Sequence, residues 1–262
     1  MRAPRDLSGN WASGTPWRHG LALLVVFAPL ALLLSMPPIV LDPVYHGYAD
    51  RREFVGIPNF LDVISSVPYL LAGVAGLHTC RRMEPGSTWP AWIVFFGGVA
   101  LVGAGSAYYH WNPSNDTLLW DRLPMTLGFT GLFVAILTDY MNQRLGARLL
   151  VPAVLLGLAS AIYGHWYDDL RLYAWVQSLP LLAIFAAFLL YRPGYTHRGH
   201  LLLALACYVL AKLAELYDHQ VFAFTAGIVG GHTLKHVLAA LGICAIVVML
   251  KRRTPIRAET PR

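Results

Sequence analysis

Charge is scarce in this chain. Of its 262 residues only 13% are Asp, Glu, Lys or Arg, about half the share of an ordinary soluble domain. That scarcity excludes a disordered chain, which needs many charges and few apolar groups, and it argues against a soluble α/β enzyme. Cysteine is sparse too. Cys80, Cys207 and Cys244 are the only three, with no CxxC pair, so no disulfide framework follows. The sequence also lacks internal repeats, low-complexity segments and alternating apolar runs, and the last of these excludes a transmembrane barrel.

Hydrophobic residues, by contrast, make up 56% of the chain. A helix crossing the hydrocarbon core needs about 20 consecutive apolar residues. Eight stretches meet that requirement, at about 20–40, 60–78, 90–110, 118–138, 149–166, 172–191, 199–217 and 231–250. Trp89, Trp92, Trp111, Trp120, Trp166 and Trp175 sit near the span ends, as interfacial anchors do. The expected fold is all-α: a polytopic transmembrane helix bundle of seven core helices plus one extra N-terminal helix. The expected division is a cytoplasmic segment over 1–18, a transmembrane domain over 19–250 and a cytoplasmic tail over 251–262. The first run, with Arg18 before Leu21–Leu34, has a signal peptide as its rival reading, but no clear A-x-A cleavage site follows it.

The net charge of +6 raises the question of a nucleic-acid partner, and the placement of the charges answers it. With the N-terminus in the cytoplasm, the cytoplasmic segments hold Arg2, Arg5, Arg18, Arg81, Arg82, Arg144, Arg148, Arg192, Arg198, Lys251, Arg252, Arg253, Arg257 and Arg262. Only Arg51, Arg52 and Arg171 fall on the other side. This is the positive-inside pattern. It accounts for the basic charge by a bilayer and not by a nucleic acid. The chain reads as a multi-pass protein of a bacterial inner membrane, with both termini cytoplasmic.

Ionisable residues inside spans are costly and by default mark function. Here they gather at the outer ends of three spans. The third closes on Ser106 and His110. A polar turn, Asn112 to Asp116, leads into Trp120-Asp121-Arg122-Leu123-Pro124-Met125, and the last span opens Gly231-His232-Thr233-Leu234-Lys235-His236. Histidines at i and i+4 share one helix face, so His232 and His236 can address one ion, and His110 at the same depth can supply a third nitrogen. Three protein ligands with an open fourth position is the pattern of catalytic zinc. The bland alternative is that these histidines only bond backbone or water.

Thr233 stands where an HExxH protease carries its glutamate base, so the base must come from another helix. Asp121, eleven residues after His110 across the turn, is the candidate, its alternative being an ion pair with Arg122 or a helix cap. Ser106 shares the face of His110 and can donate to the oxyanion of an attacked carbonyl; its alternative is a helix contact. A Ser-His-Asp triad leaves the HxxxH pair unexplained. His46, His165 and His219 read as rim groups, His165 near Asp168 and Asp169. Lys212 pairs with Glu215, and Lys235 turns toward Glu215 or Asp218.

Ser106 with His110, Asp121 in its WDRLPM segment and the terminal GHTLKH resemble the alkaline ceramidase family, part of a wider seven-helix group of membrane hydrolases that includes adiponectin-receptor-like proteins. The stretch Ile57 to Ser66 resembles that family's first core helix. The resemblance spans about residues 45–250. It implies zinc on His110, His232 and His236, Asp121 and Ser106 around the attacking water, and a ceramide-like lipid amide as substrate. Two departures bear on calcium. The family's acidic Asp-Trp-Cys-Glu segment is replaced by Tyr48-Ala49-Asp50-Arg51-Arg52-Glu53, and Asn59 occupies an acidic position, so calcium is not expected.

The reading is a zinc-dependent amide hydrolase with its site toward the periplasm. A receptor with a structural zinc, or a lipid ester hydrolase of the same group, are the alternatives, and a transporter is disfavoured by the lack of repeats. The sequence leaves the lipid and the oligomeric state open.

Overall fold

The computed structural model describes residues 16–83, 86–141 and 143–256. Most of the N-terminal segment and the end of the tail assigned to the cytoplasm lie outside the described residues. The described chain forms α1 (Pro16–Ser35), α2 (Phe60–Ile64), α3 (Val67–Arg81), α4 (Trp89–Trp111), α5 (Asn115–Tyr140), α6 (Gln143–Tyr167), α7 (Arg171–Leu190), α8 (Gly199–Leu216), α9 (Asp218–Phe224) and α10 (Gly231–Arg252). Eight segments are long and apolar enough to cross a membrane, α2 and α3 together supplying one of them. The all-α polytopic bundle is what the apolar runs imply.

Two details differ from the sequence reading. The first span ends at Ser35, not near residue 40, because Pro37 and Pro38 cannot donate to a helix ladder and bar helical backbone before them. The second is broken rather than continuous. The Ser65 and Ser66 hydroxyls both donate to the Asp62 carbonyl at 3.1 Å, competing for a helical acceptor. Pro68, in the first turn of α3, then lacks the N–H that would carry the ladder across.

Outward faces carry Leu71, Val151, Leu155 and Leu189 at 61–65% exposure, as a lipid-facing surface requires. Inward, Trp92, Phe96, Ile136, Val176, Leu201 and Ile246 form the core. Helix α4 packs between α3 and α5, α5 also packs on α6 and α7, and α10 packs on α8 and α3. α1 lies against α7, where the Trp175 indole donates to the Val26 carbonyl at 2.8 Å.

Two glycines bring together the helix ends that matter. A Cβ on Gly105 of α4 would collide with the Trp120 carbonyl of α5, and one on Gly231 of α10 would collide with the Ala214 carbonyl of α8. Both close approaches lie beside the candidate site. The α5 end is fixed further by a capping box: the Thr117 amide donates to Ser114 Oγ at 3.2 Å and the Ser114 amide to Thr117 Oγ1 at 3.0 Å.

Candidate active site

His110 in the last turn of α4 meets His232 and His236 in the first turns of α10. One nitrogen from each lies within 4.8 Å of the others, and the three rings are 0%, 3% and 2% exposed. His110 Nε2 and His232 Nε2 stand 3.1 Å apart. Two nitrogens on one tetrahedral zinc, each about 2.0–2.1 Å from it, stand about 3.3 Å apart, so the pair has the spacing of co-ligands. His110 Nδ1 is buried with no hydrogen-bond partner among the described residues, a state that buried polar groups rarely keep. A buried, all-imidazole donor set with two nitrogens at co-ligand spacing fits a divalent transition metal such as zinc.

A surrounding layer holds these rings. His236 Nδ1 bonds the Ser65 hydroxyl at 2.8 Å. The His232 amide donates to Asp218 Oδ1 at 2.9 Å, and the Ala49 amide to Asp218 Oδ2 at 2.8 Å. The Thr233 hydroxyl donates to Asp62 Oδ1 at 2.6 Å. Asn59 Nδ2 donates to the His110 carbonyl at 2.8 Å. Tyr48 lies against His232 and His110, with ring centroids 4.2 and 5.0 Å away, and its hydroxyl is 2.6 Å from that of Tyr109. Burial, then the neighbouring Tyr45 and Tyr109, push the Tyr48 phenol well above the ordinary tyrosine range, so it stays neutral.

His236 also lines a cavity of about 340 Å³, within the range of small-ligand sites. Ser106 and Asp121 line it too, with the Ser106 hydroxyl alongside the Asp121 carboxyl. The remaining walls are mostly apolar. On α10 the lining runs from His236 to Ile246, and on α4 from Ser106 back to Phe95, each about 15 Å at 1.5 Å per residue. The cavity therefore has one polar end, at the histidines, and a long hydrocarbon-like barrel.

The three histidines singled out from sequence thus cluster, and one of them, His236, shares a cavity with Ser106 and Asp121. The others do not join them. His46 bonds the Tyr109 hydroxyl and Asn115 Oδ1, both at 2.8 Å, and His219 the Gly47 carbonyl at 3.0 Å. His165 lies 3.7 Å from Asp116 and not beside its sequence neighbours: Asp168 accepts from the Leu41 amide, and Asp169 pairs with Arg171 at 2.7 Å. Glu215 takes both lysines, Lys235 at 2.9 Å and Lys212 closer still. Asp121 and Arg122 form no ion pair among the described residues, against that alternative for Asp121. Asp50, the acidic group nearest the position of the missing calcium segment, has its carboxylate held by Arg52 at 2.8 and 2.6 Å.

The sequence reading missed Asp62 and Ser65. Asp62, 1% exposed with Oδ2 unpartnered, carried its own signal, a carboxylate within a membrane span.

A family model described as Ceramidase matches residues 56–219. The match takes in Asp62, Ser65, Ser106, His110 and Asp121 and stops short of His232 and His236. No curated protein matches the chain, and neither does any solved structure.

Proposed function

The chain belongs to the ceramidase family, and on that premise we propose that it is a zinc-dependent intramembrane hydrolase cleaving the amide bond of a ceramide-like lipid. One observation carries the reading: a buried three-histidine cluster whose His236 opens onto a long, mostly apolar cavity that Asp121 and Ser106 also line. Either half alone has bland explanations; metal clusters occur in receptors and apolar cavities in any bundle.

His110, His232 and His236 would hold the zinc. When bound, it supplies Lewis-acid polarisation of a carbonyl and of water near neutral pH. The apolar barrel binds the acyl chain and sets the amide carbonyl at the polar end, beside Ser106 and Asp121. Asp121 accepts a proton from the attacking water as the water oxygen bonds to the carbonyl carbon. The Ser106 hydroxyl donates to the carbonyl oxygen as it gains charge. Asp121 then returns the proton to the nitrogen as the C–N bond breaks, releasing a fatty acid and an amine. Tyr48 and the apolar wall keep other water out. The lysine and arginine distribution supports an outward-facing position for this end of the bundle, with the substrate entering from the outer leaflet.

The test is metal analysis of the purified protein, joined to an assay of fatty-acid release from ceramide in mixed micelles. The proposal expects one zinc per chain, loss of activity with a chelator and recovery with zinc. Turnover that survives complete removal of metal overturns it.

A further inference from the structure

Of the charged groups lining the cavity that the hydrolytic chemistry leaves unused, Arg122 is the one that forms no ion pair among the described residues. Its side chain is only 8% exposed and lines the cavity next to Asp121. The guanidinium carbon lies 5.7 Å from the Tyr45 ring centre and 5.1 Å from that of Tyr173. Ring faces favour a cation but accept none of its five N–H donors in the way an oxygen does. Among the described residues the guanidinium has no hydrogen-bond acceptor and no ion-pair partner. Arginines this buried are rare unless paired, and arginine cannot shed its charge.

Neither acidic group of the cavity wall forms an ion pair with it among the described residues. Glu215 is engaged by Lys212 and Lys235. With Asp121 ionised, the cavity wall carries Arg122, Lys212 and Lys235 against Asp121 and Glu215, an excess of one positive charge. Arg122 lines the same cavity as Ser106, Asp121 and His236 and is flanked there by Tyr45 and Tyr173, which places it with the substrate's head and not its tail.

We propose that Arg122 is an anion-binding subsite, and that the substrate is an N-acyl lipid whose head carries a carboxylate or a phosphate close to the scissile amide. The proposal rests on the amide-hydrolase reading. Arg122 forks onto two oxygens of the anion, while Tyr45 and Tyr173 hold the guanidinium between them. It determines specificity and takes no part in bond breaking.

Three amides sharing a hexadecanoyl chain test it with the purified zinc enzyme: neutral ceramide, ceramide 1-phosphate and N-palmitoylserine. The wild type should favour at least one anionic amide over ceramide by about tenfold or more in kcat/KM, and the two anionic arms tell phosphate from carboxylate. Arg122→Gln should lower kcat/KM for that amide by about 10- to 100-fold, mainly through KM, and change ceramide by less than about threefold. Arg122→Lys should recover part of the loss. A wild type that prefers ceramide overturns the subsite, as does an equal loss on all three amides. If Arg122→Gln does not fold, the wild-type preference and the Arg122→Lys profile decide. If no amide is cleaved, the hydrolase reading fails by itself, and calorimetric binding of hexadecyl phosphate decides the subsite: weakening of about tenfold or more in the variant keeps it, and unchanged binding removes it.

Discussion

The Nδ1 nitrogen of His236 lies 2.8 Å from the hydroxyl of Ser65, and that hydroxyl donates onward to the Asp62 carbonyl at 3.1 Å. In the tautomer with its proton on Nδ1 the ring donates to that hydroxyl and keeps Nε2 as a lone pair for a metal. Such partners orient metal ligands, and their loss costs about 10- to 100-fold in metal affinity. Ser65→Ala should therefore weaken zinc binding by that factor, read by competition with a chromophoric chelator. Unaltered affinity would show that packing alone holds the ring.

The three histidines should differ sharply from the peripheral ones. His232→Ala and His236→Ala each remove one of three nitrogens from the cluster, whereas His165 stands outside it, 3.7 Å from the exposed Asp116. Elemental analysis should find zinc lost in the first two and retained in His165→Ala. Full occupancy in both HxxxH variants would sink the ligand assignment.

Asp121 should separate binding from turnover. It lines the cavity with Ser106 and is not one of the clustered ligands. Asp121→Asn keeps the shape and removes the base, so it should hold zinc while losing turnover by about 10²-fold or more. Loss of zinc in that variant would make Asp121 a ligand, and unchanged turnover would remove it from the chemistry.

The spans were legible because a bilayer demands unbroken apolar runs, and the meeting of His110 with His232 and His236 followed from helix periodicity and shared depth. What escaped depends on interactions that periodicity does not encode. The break at Ser65–Ser66 comes from hydroxyls bonding back to Asp62, and its consequence is to aim Ser65 at His236. Arg122 looked like a partner for its neighbour Asp121, but successive helical residues point about 100° apart, and two tyrosines distant in sequence flank it instead. The single cavity joining His236 to Ser106 and Asp121 needs the packing of several helices, which no local pattern specifies.

Acid should loosen the loops around the site before it affects the bundle. Burial alone would raise the Asp50 carboxyl, but side-chain and backbone hydrogen bonds from Arg52 outweigh it and hold the group below its ordinary value of 3.8. Hydrogen bonds from Arg171 likewise lower Asp169. A carboxyl depressed in the folded state stabilises the protein above its unfolded pKa, and that stabilisation drains away as pH falls through the folded value. Arg52 also donates to the Ile228 carbonyl at 2.7 Å, so the pair ties the segment before α2 to the turn before α10. The melting temperature in detergent should be flat with respect to these groups from pH 7 to about 5 and fall below 4, less steeply in Asp50→Asn. An identical fall in that variant would remove Asp50 from the acid response.

The orientation is open to direct labelling. The excess of Lys and Arg in the loops at the opposite end of the bundle is the ground for proposing that the histidine end faces outward. Asp116, with a side chain 93% exposed, precedes Asp121 in α5, and Phe224, also 93% exposed, precedes α10. Gly86 and Arg192 are exposed at the other end. Cysteines introduced singly at these positions, in a chain with Cys80, Cys207 and Cys244 replaced, should divide cleanly. Those at 116 and 224 should react with an impermeant thiol reagent in intact cells, and those at 86 and 192 only after the membrane is opened. The reverse pattern would turn the cavity's polar end to the cytoplasm, and the substrate would then come from the inner leaflet, with the histidine cluster and its chemistry unaffected.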